Sequence, residues 1–172
     1  MTSIASSSHL PALAEPHERE AVARELEATL QELVALSLTG KQLHWAVVGA
    51  LFRPLHSQID ELVDSWKDLS DTVAERAVAL GYVPDGQAQA VAERSELTPV
   101  SSSPIEDHAV VWELTHRLAM VSERVRGRME RLGALDLASQ DVLIEVVRAL
   151  EEQQWMLRAQ LGSRVLAADR SH

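Results

Sequence analysis

The segment Lys41–Gly81, KQLHWAVVGALFRPLHSQIDELVDSWKDLSDTVAERAVALG, decides the fold. From Leu55, the residues Ile59, Leu62, Trp66, Leu69, Val73, Ala77 and Leu80 recur every three or four positions, the period of a helix with one apolar face. Pro54 restarts the chain ahead of that run and Gly81 ends it. Upstream, Leu26, Leu30, Leu33, Leu36, Leu43 and Val47 carry the same period from Pro16, which suits a first helical position, to a stop at Gly49. A link this short between two long helices makes an antiparallel hairpin.

The stretch 81–103 holds Tyr-Val-Pro-Asp-Gly and a Ser/Pro cluster. It is too long for a hairpin turn and leaves room for one short helix over Gln87–Arg94. Ser103-Pro104-Ile105-Glu106 has the Ser-x-x-Glu form of a capping box and predicts a third long helix from there to Leu132, with Gly133 as its stop. After Asp136, the positions Val142, Ile144, Val147, Leu150, Met156, Leu157 and Leu161 predict a fourth, closed by Gly162. Two hairpins joined by one long crossover give an all-α, ferritin-like four-helix bundle. The predicted boundaries are a flexible tail over 1–15, the bundle over 16–162 and a short tail over 163–172.

Composition agrees. A chain of 172 residues fits one domain, and with Phe and Tyr once each, its 46% hydrophobic content is mostly Leu, Val and Ala, which favours helices over sheet. There is no cysteine, so a metal could be held only by nitrogen and oxygen. A formal charge of −10 disfavours nucleic acid and anionic lipid as bulk partners and favours cations. No basic leader with an apolar core and no run of about 18 apolar residues occurs, so the chain reads as soluble, cytoplasmic and without a membrane partner.

Within the quoted segment His44, His56, Asp60, Asp71 and Glu75 raise the question of a site. On a wheel of about 100° per residue with His56 at zero, the apolar residues fall at about 220–300°, whereas Asp60, Asp71 and Glu75 fall at roughly 40°, 60° and 100°. These side chains therefore face away from the chain's own core. Asp60 and Asp71 are separated by roughly 16 Å along the helix, too far to touch one ion, so the face carries two half-sites, His56/Asp60 and Asp71/Glu75. An antiparallel twofold partner would bring each half-site opposite the other's complement. The plain alternatives are a satisfied boundary histidine at position 44, in line with Leu26, and a merely solvated acidic face, since Asp64 and Asp68 lie on the same helix.

His44-Trp45, His56, Asp60, Asp71 and Glu75-Arg76, with Lys41, Gly49, Phe52, Ala74–Ala77, Leu80-Gly81 and Val83-Pro84, resemble the Dps family of small ferritin-like proteins. The likeness runs from about residue 18 onward. It implies a dodecameric shell built from twofold dimers, acting as a ferroxidase that oxidises Fe(II), preferably with hydrogen peroxide and with oxygen as the alternative, and stores the ferric mineral. It further implies that His44, His56 and Asp60 of one protomer and Asp71 and Glu75 of its partner hold the iron, with Trp45 beside the centre. Acidic threefold pores of the family make Asp136 and Asp141 candidates for ion entry, with helix capping as the equal alternative. The lysine-rich tails that bind DNA in several members have no counterpart here, which puts DNA binding in doubt. The competing class is a non-enzymatic, nucleoid-compacting or structural shell with an idle centre.

Three weaker features complete the reading. Glu113-Leu-Thr-His116 is one Glu-x-x-His copy where a di-iron site within one bundle needs two. Arg117, Arg124, Arg128 and Arg131 share a helix face with Glu123 and Glu130 interspersed, which predicts a solvated or intersubunit charged stripe. His9 and His17 are isolated histidines near the N-terminus.

Overall fold

The computed structural model describes residues 2–3 and 15–162. Four long helices, α1 (Pro16–Ala46), α2 (Phe52–Ala79), α4 (Asp107–Leu132) and α5 (Leu137–Gln160), form the bundle, and α3 (Ala88–Arg94) lies in the crossover. The hairpin partners α1/α2 and α4/α5 pack along their lengths, and α1 also meets α4 as α2 meets α5. The core they enclose is Leu and Val around Trp66, which is fully buried. The Trp66 indole N–H would be an unpaired donor there, but it donates to Gln153 Oε1 at 2.7 Å. All seven apolar positions from Leu55 to Ala77 that mark the α2 stripe are buried, as the period predicts.

Two-residue strands tie the ends of the bundle: β1 (Thr2–Ser3) runs antiparallel to β3 (Tyr82–Val83), and β2 (Val47–Val48) runs parallel to β4 (Ile105–Glu106). The second pairing corrects two sequence expectations. Helix α1 ends at Ala46 rather than at Gly49, because Val47 and Val48 turn extended to pair with Ile105 and Glu106. The same pairing occupies Ile105-Glu106, so α4 begins at Asp107 and Ser103 opens no capping box. A box forms instead at α1, where the Glu15 N–H donates to the Glu18 carboxylate at 3.0 Å. Helix α2 starts at Phe52, two residues before Pro54, whose missing N–H costs nothing in a first turn.

Of the predicted tails, Thr2–Ser3 pair with the crossover, and residues 4–14, with His9, and 163–172 lie outside the described residues. Among the described residues no helix is long and apolar enough to cross a membrane.

Candidate metal centre

The hairpin connecting α1 to α2 sets two histidines face to face. His44 lies in the last turn of α1 and His56 in the second turn of α2, with ring centroids 3.5 Å apart and planes inclined by 25°. Each ring bonds the other residue's backbone: His44 Nδ1 lies 3.0 Å from the His56 carbonyl, and His56 Nδ1 3.1 Å from the His44 carbonyl. A carbonyl oxygen can only accept, so each Nδ1 carries the proton and each Nε2 keeps its lone pair. This is the tautomer a metal-ligating imidazole needs, fixed in both rings by one reciprocal contact.

Asp60, one turn beyond His56, completes the group: the three side chains can each offer a ligand atom with all three atoms within 4.8 Å of one another. Asp60 Oδ1 also meets Lys41 Nζ at 2.7 Å and His44 Nδ1 at 3.3 Å. His44 is 6% exposed, and this burial lowers its pKa below 6.5; the Lys41 ammonium holds the Asp60 carboxyl below 3.8. Near neutral pH the cluster therefore sets the neutral His44 imidazole next to an ionised carboxylate. Nitrogen and oxygen donors of this kind suit a hard or borderline divalent cation.

Asp71 and Glu75 do not join this cluster; both are exposed farther along α2. Around the cluster the surface is unusually apolar for an acidic helix face. Trp45 is 70% exposed and Leu38 60%, while Phe52 is exposed with its ring 5.0 Å from that of His56. Lys41 Nζ sits 5.9 Å from the Trp45 ring centroid. A shallow groove of about 380 Å³ runs between α1 and α2, with Leu38, Lys41, Lys67 and Asp71 among its lining residues.

The other singled-out residues are placed as follows. Asp136 is the N-cap of α5, accepting from the Ser139 N–H at 3.1 Å, and it pairs with Arg76 at 2.7 Å; Asp141 is exposed on the first turns of α5. Glu113 bonds Arg117, and His116 is exposed and stacked on Trp112 with centroids 5.2 Å apart. His17 is exposed. The arginine face of α4 is not a solvated stripe. Arg124 and Arg128 both reach the buried Glu32 on α1, Arg131 pairs with Glu25 at 2.8 Å, and the buried Arg117 also donates to the Thr98 carbonyl at 2.8 Å. The expectation failed because a helix wheel shows which residues share a face but not that acids of α1 stand opposite.

The ferritin-like domain model matches residues 23–165. The DNA protection during starvation protein of Mycolicibacterium smegmatis is 36% identical over 144 residues, which is 83% of this chain and 78% of that protein. The chain belongs to the Dps family. The Dps fold is matched equally in three dimensions: the tetragonal form of Mycobacterium smegmatis Dps superposes with a TM-score of 0.86 at 34% identity, covering 92% of this chain and 96% of that one. Similarity at the same level extends to the fine tangled pili major subunit of Haemophilus ducreyi, 35% identical over 83% of this chain and 75% of that protein. Sequence reading of this Dps protomer named no role for Lys41 and missed Asp107. A lysine four residues after Ser37 carries no signal of its own, and its contact with Asp60 exists only once α1 and α2 are paired.

Proposed function

We propose that this Dps-family protein is a ferroxidase that oxidises Fe(II) at centres shared between twofold-related protomers and keeps the ferric product inside a dodecameric shell, in the cytoplasm. One observation carries the reading: the reciprocal His44–His56 contact, which engages both Nδ1 atoms on backbone carbonyls and leaves the Nε2 of each ring for a metal, in a cluster whose third member is Asp60. Ordinary boundary histidines have no reason to fix both tautomers in the metal-ligating form. In this reading Asp71 and Glu75 of the partner complete the coordination, and the exposed apolar residues Trp45, Leu38 and Phe52 are covered by that partner.

Iron enters as Fe(II) and leaves as Fe(III). Each hydrogen peroxide takes one electron from each of two ferrous ions, its O–O bond breaks, and with two protons it becomes two waters. Carboxylate and imidazole donors favour the ferric product, and the open side of the half-site admits the oxidant. Trp45, next in sequence to His44, would shield the centre from bulk water once the partner covers it. Asp141, whose carboxylate is exposed, is the better placed of the two acidic candidates for an ion path, since Asp136 is engaged with Arg76 and Ser139.

Arg124, Arg128 and Arg131 are paired with acids of α1, Arg117 with Glu113 and Arg126 with Glu151, so α4 offers no free basic stripe, and DNA binding is not part of the proposal. The second reading, a shell without chemistry, draws support from the relative named as a pilus subunit. Native mass with anaerobic Fe(II) titration, followed by peroxide-driven oxidation, separates them. Replacing His44 and His56 by Ala should leave the shell intact and slow oxidation by at least the roughly 10–100-fold seen when even outer-shell partners of metal ligands are lost. An unchanged rate rejects the ferroxidase reading.

A further inference from the structure

The loop between the two histidines is anchored from outside the hairpin, and the anchor is a buried carboxylate that metal chemistry does not use. Asp107, the first residue of α4, is 4% exposed. Its Oδ2 accepts the Leu51 N–H at 2.7 Å, and its Oδ1 accepts the His108 N–H at 2.7 Å. The Leu51 contact holds the Asp107 carboxyl below the ordinary carboxylate range. Gly49 approaches from the other side: its φ is +122°, and a Cβ there would lie 2.5 Å from Asp107 Oδ2. The loop therefore needs both the carboxylate and the absence of a side chain facing it.

We propose that Asp107 is a positioning residue for the metal half-site, fixing the turn at Gly49–Leu51 so that His44 and His56 meet in their reciprocal contact. The inference rests on the metal-binding reading given above. The geometry explains why such an anchor is needed. His44 and His56 are carried by different helices, and their stacking at 3.5 Å depends on the register of the five residues between Ala46 and Phe52. Within that link Phe52 N–H donates to the Gly49 carbonyl at 3.2 Å, but a turn closed only on itself still swings as a unit. The β2/β4 pairing holds its first half to the strand that leads into α4, and Asp107 holds its second half to α4 itself. Ligands must be kept to within about 0.5 Å of their productive positions for binding to be tight, and a link pinned at both halves meets that requirement.

Two substitutions reach the contact from opposite sides: Asp107→Ala removes the acceptor, and Gly49→Ala pushes it away. In the full-length assembled protein both should weaken anaerobic Co(II) binding about tenfold or more and alter the Co(II) d–d spectrum. Asp107→Asn, which keeps one acceptor oxygen, should recover much of the affinity. Glu32→Ala, which breaks the buried Arg124 and Arg128 pairs far from the hairpin, controls for lost stability and should leave the spectrum unchanged. Nitrogen NMR of histidine-labelled protein should show both rings as Nδ1–H tautomers in the wild type and in Glu32→Ala, and a loss of that preference in Asp107→Ala. Wild-type Co(II) affinity in Asp107→Ala, or a loss no larger than in Glu32→Ala, overturns the proposal. If the wild type binds no Co(II), the metal reading falls by itself, and unchanged ring tautomers in Asp107→Ala would then overturn the positioning role separately.

Discussion

Asp136→Ala distinguishes a residue that holds the fold from one that lines an ion path. In the folded chain this carboxylate caps α5 through the Ser139 N–H and hydroxyl and receives the Arg76 guanidinium from the end of α2. Both members of the pair are shielded, with 19% of the Arg76 and 11% of the Asp136 side chain exposed. Losing an N-cap costs about 1 kcal/mol, and leaving a charged donor such as Arg76 without its acceptor adds about 1–3 kcal/mol, for a total of about 2–4 kcal/mol. At about 2–4 °C per kcal/mol for a chain of this size, the melting temperature should fall by roughly 4–16 °C, measured at fixed protomer concentration. A double-mutant cycle with Arg76→Ala should return a coupling of about 1–3 kcal/mol. Acid sensitivity supplies a second arm. Burial by itself would raise the Asp136 pKa, but the Ser139 and Arg76 hydrogen bonds prevail and lower it below 3.8. The unfolded chain then takes up this proton first, so the contribution is intact above 3.8 and is lost as pH falls through the folded value; Asp136→Ala should lack that part of the acid transition. A variant that melts like the wild type and only takes up Fe(II) more slowly would refute the holding role.

Other outcomes follow from the same contacts. Lys41→Met removes the cation that occupies Asp60 Oδ1, so Co(II) should bind several-fold more tightly at neutral pH; weaker binding in titration calorimetry would show that the lysine supports the centre instead of competing for it. Because burial lowers the His44 pKa, protons compete with metal for this ring less than for an ordinary histidine, and the part of the affinity that His44 supplies should be lost at lower pH than for a free imidazole when affinity is measured from neutral pH downward. The same depression makes the unfolded chain protonate first, so His44 costs stability as pH falls below 6.5. In a gel-shift at low salt, duplex DNA should migrate unretarded at neutral pH; retardation that weakens steeply with salt would instead reveal a phosphate-binding surface.

How much was legible in the sequence depended on whether a feature is periodic along one helix or formed between elements. The α2 stripe from Leu55 to Ala77 is a property of one helix, and the period alone identifies the buried positions there except Val63 and Ser70. His56 and Asp60 are likewise neighbours one turn apart, and the wheel puts them on the outward side. The stop of α1 was not legible, because Val47 and Val48 leave the helix for a pairing with residues 58 positions away, and no local preference competes visibly with the helical run. Ser103-Pro104-Ile105-Glu106 misled for the same reason: the local capping signal is real, but the tertiary pairing at Ile105-Glu106 takes precedence. The arginines of α4 read as a surface stripe until Glu25 and Glu32 of α1 are brought against them.

The half-site also has a consequence for when chemistry can occur. One protomer brings two imidazoles and one carboxylate to a point, and its remaining acidic pair, Asp71 and Glu75, is on the same helix about three turns on, where no bending of α2 could return it. In the proposed reading an isolated protomer would hold a cation only weakly and with its coordination incomplete, while Trp45, Leu38 and Phe52 remain in water at a cost that association would relieve. In the proposed assembly, burying that apolar rim and completing the metal centre are the same event. Activity should then follow assembly rather than folding: dilution or a charge placed at Leu38 that separates protomers should abolish rapid Fe(II) oxidation while leaving helicity and the His44–His56 contact in place.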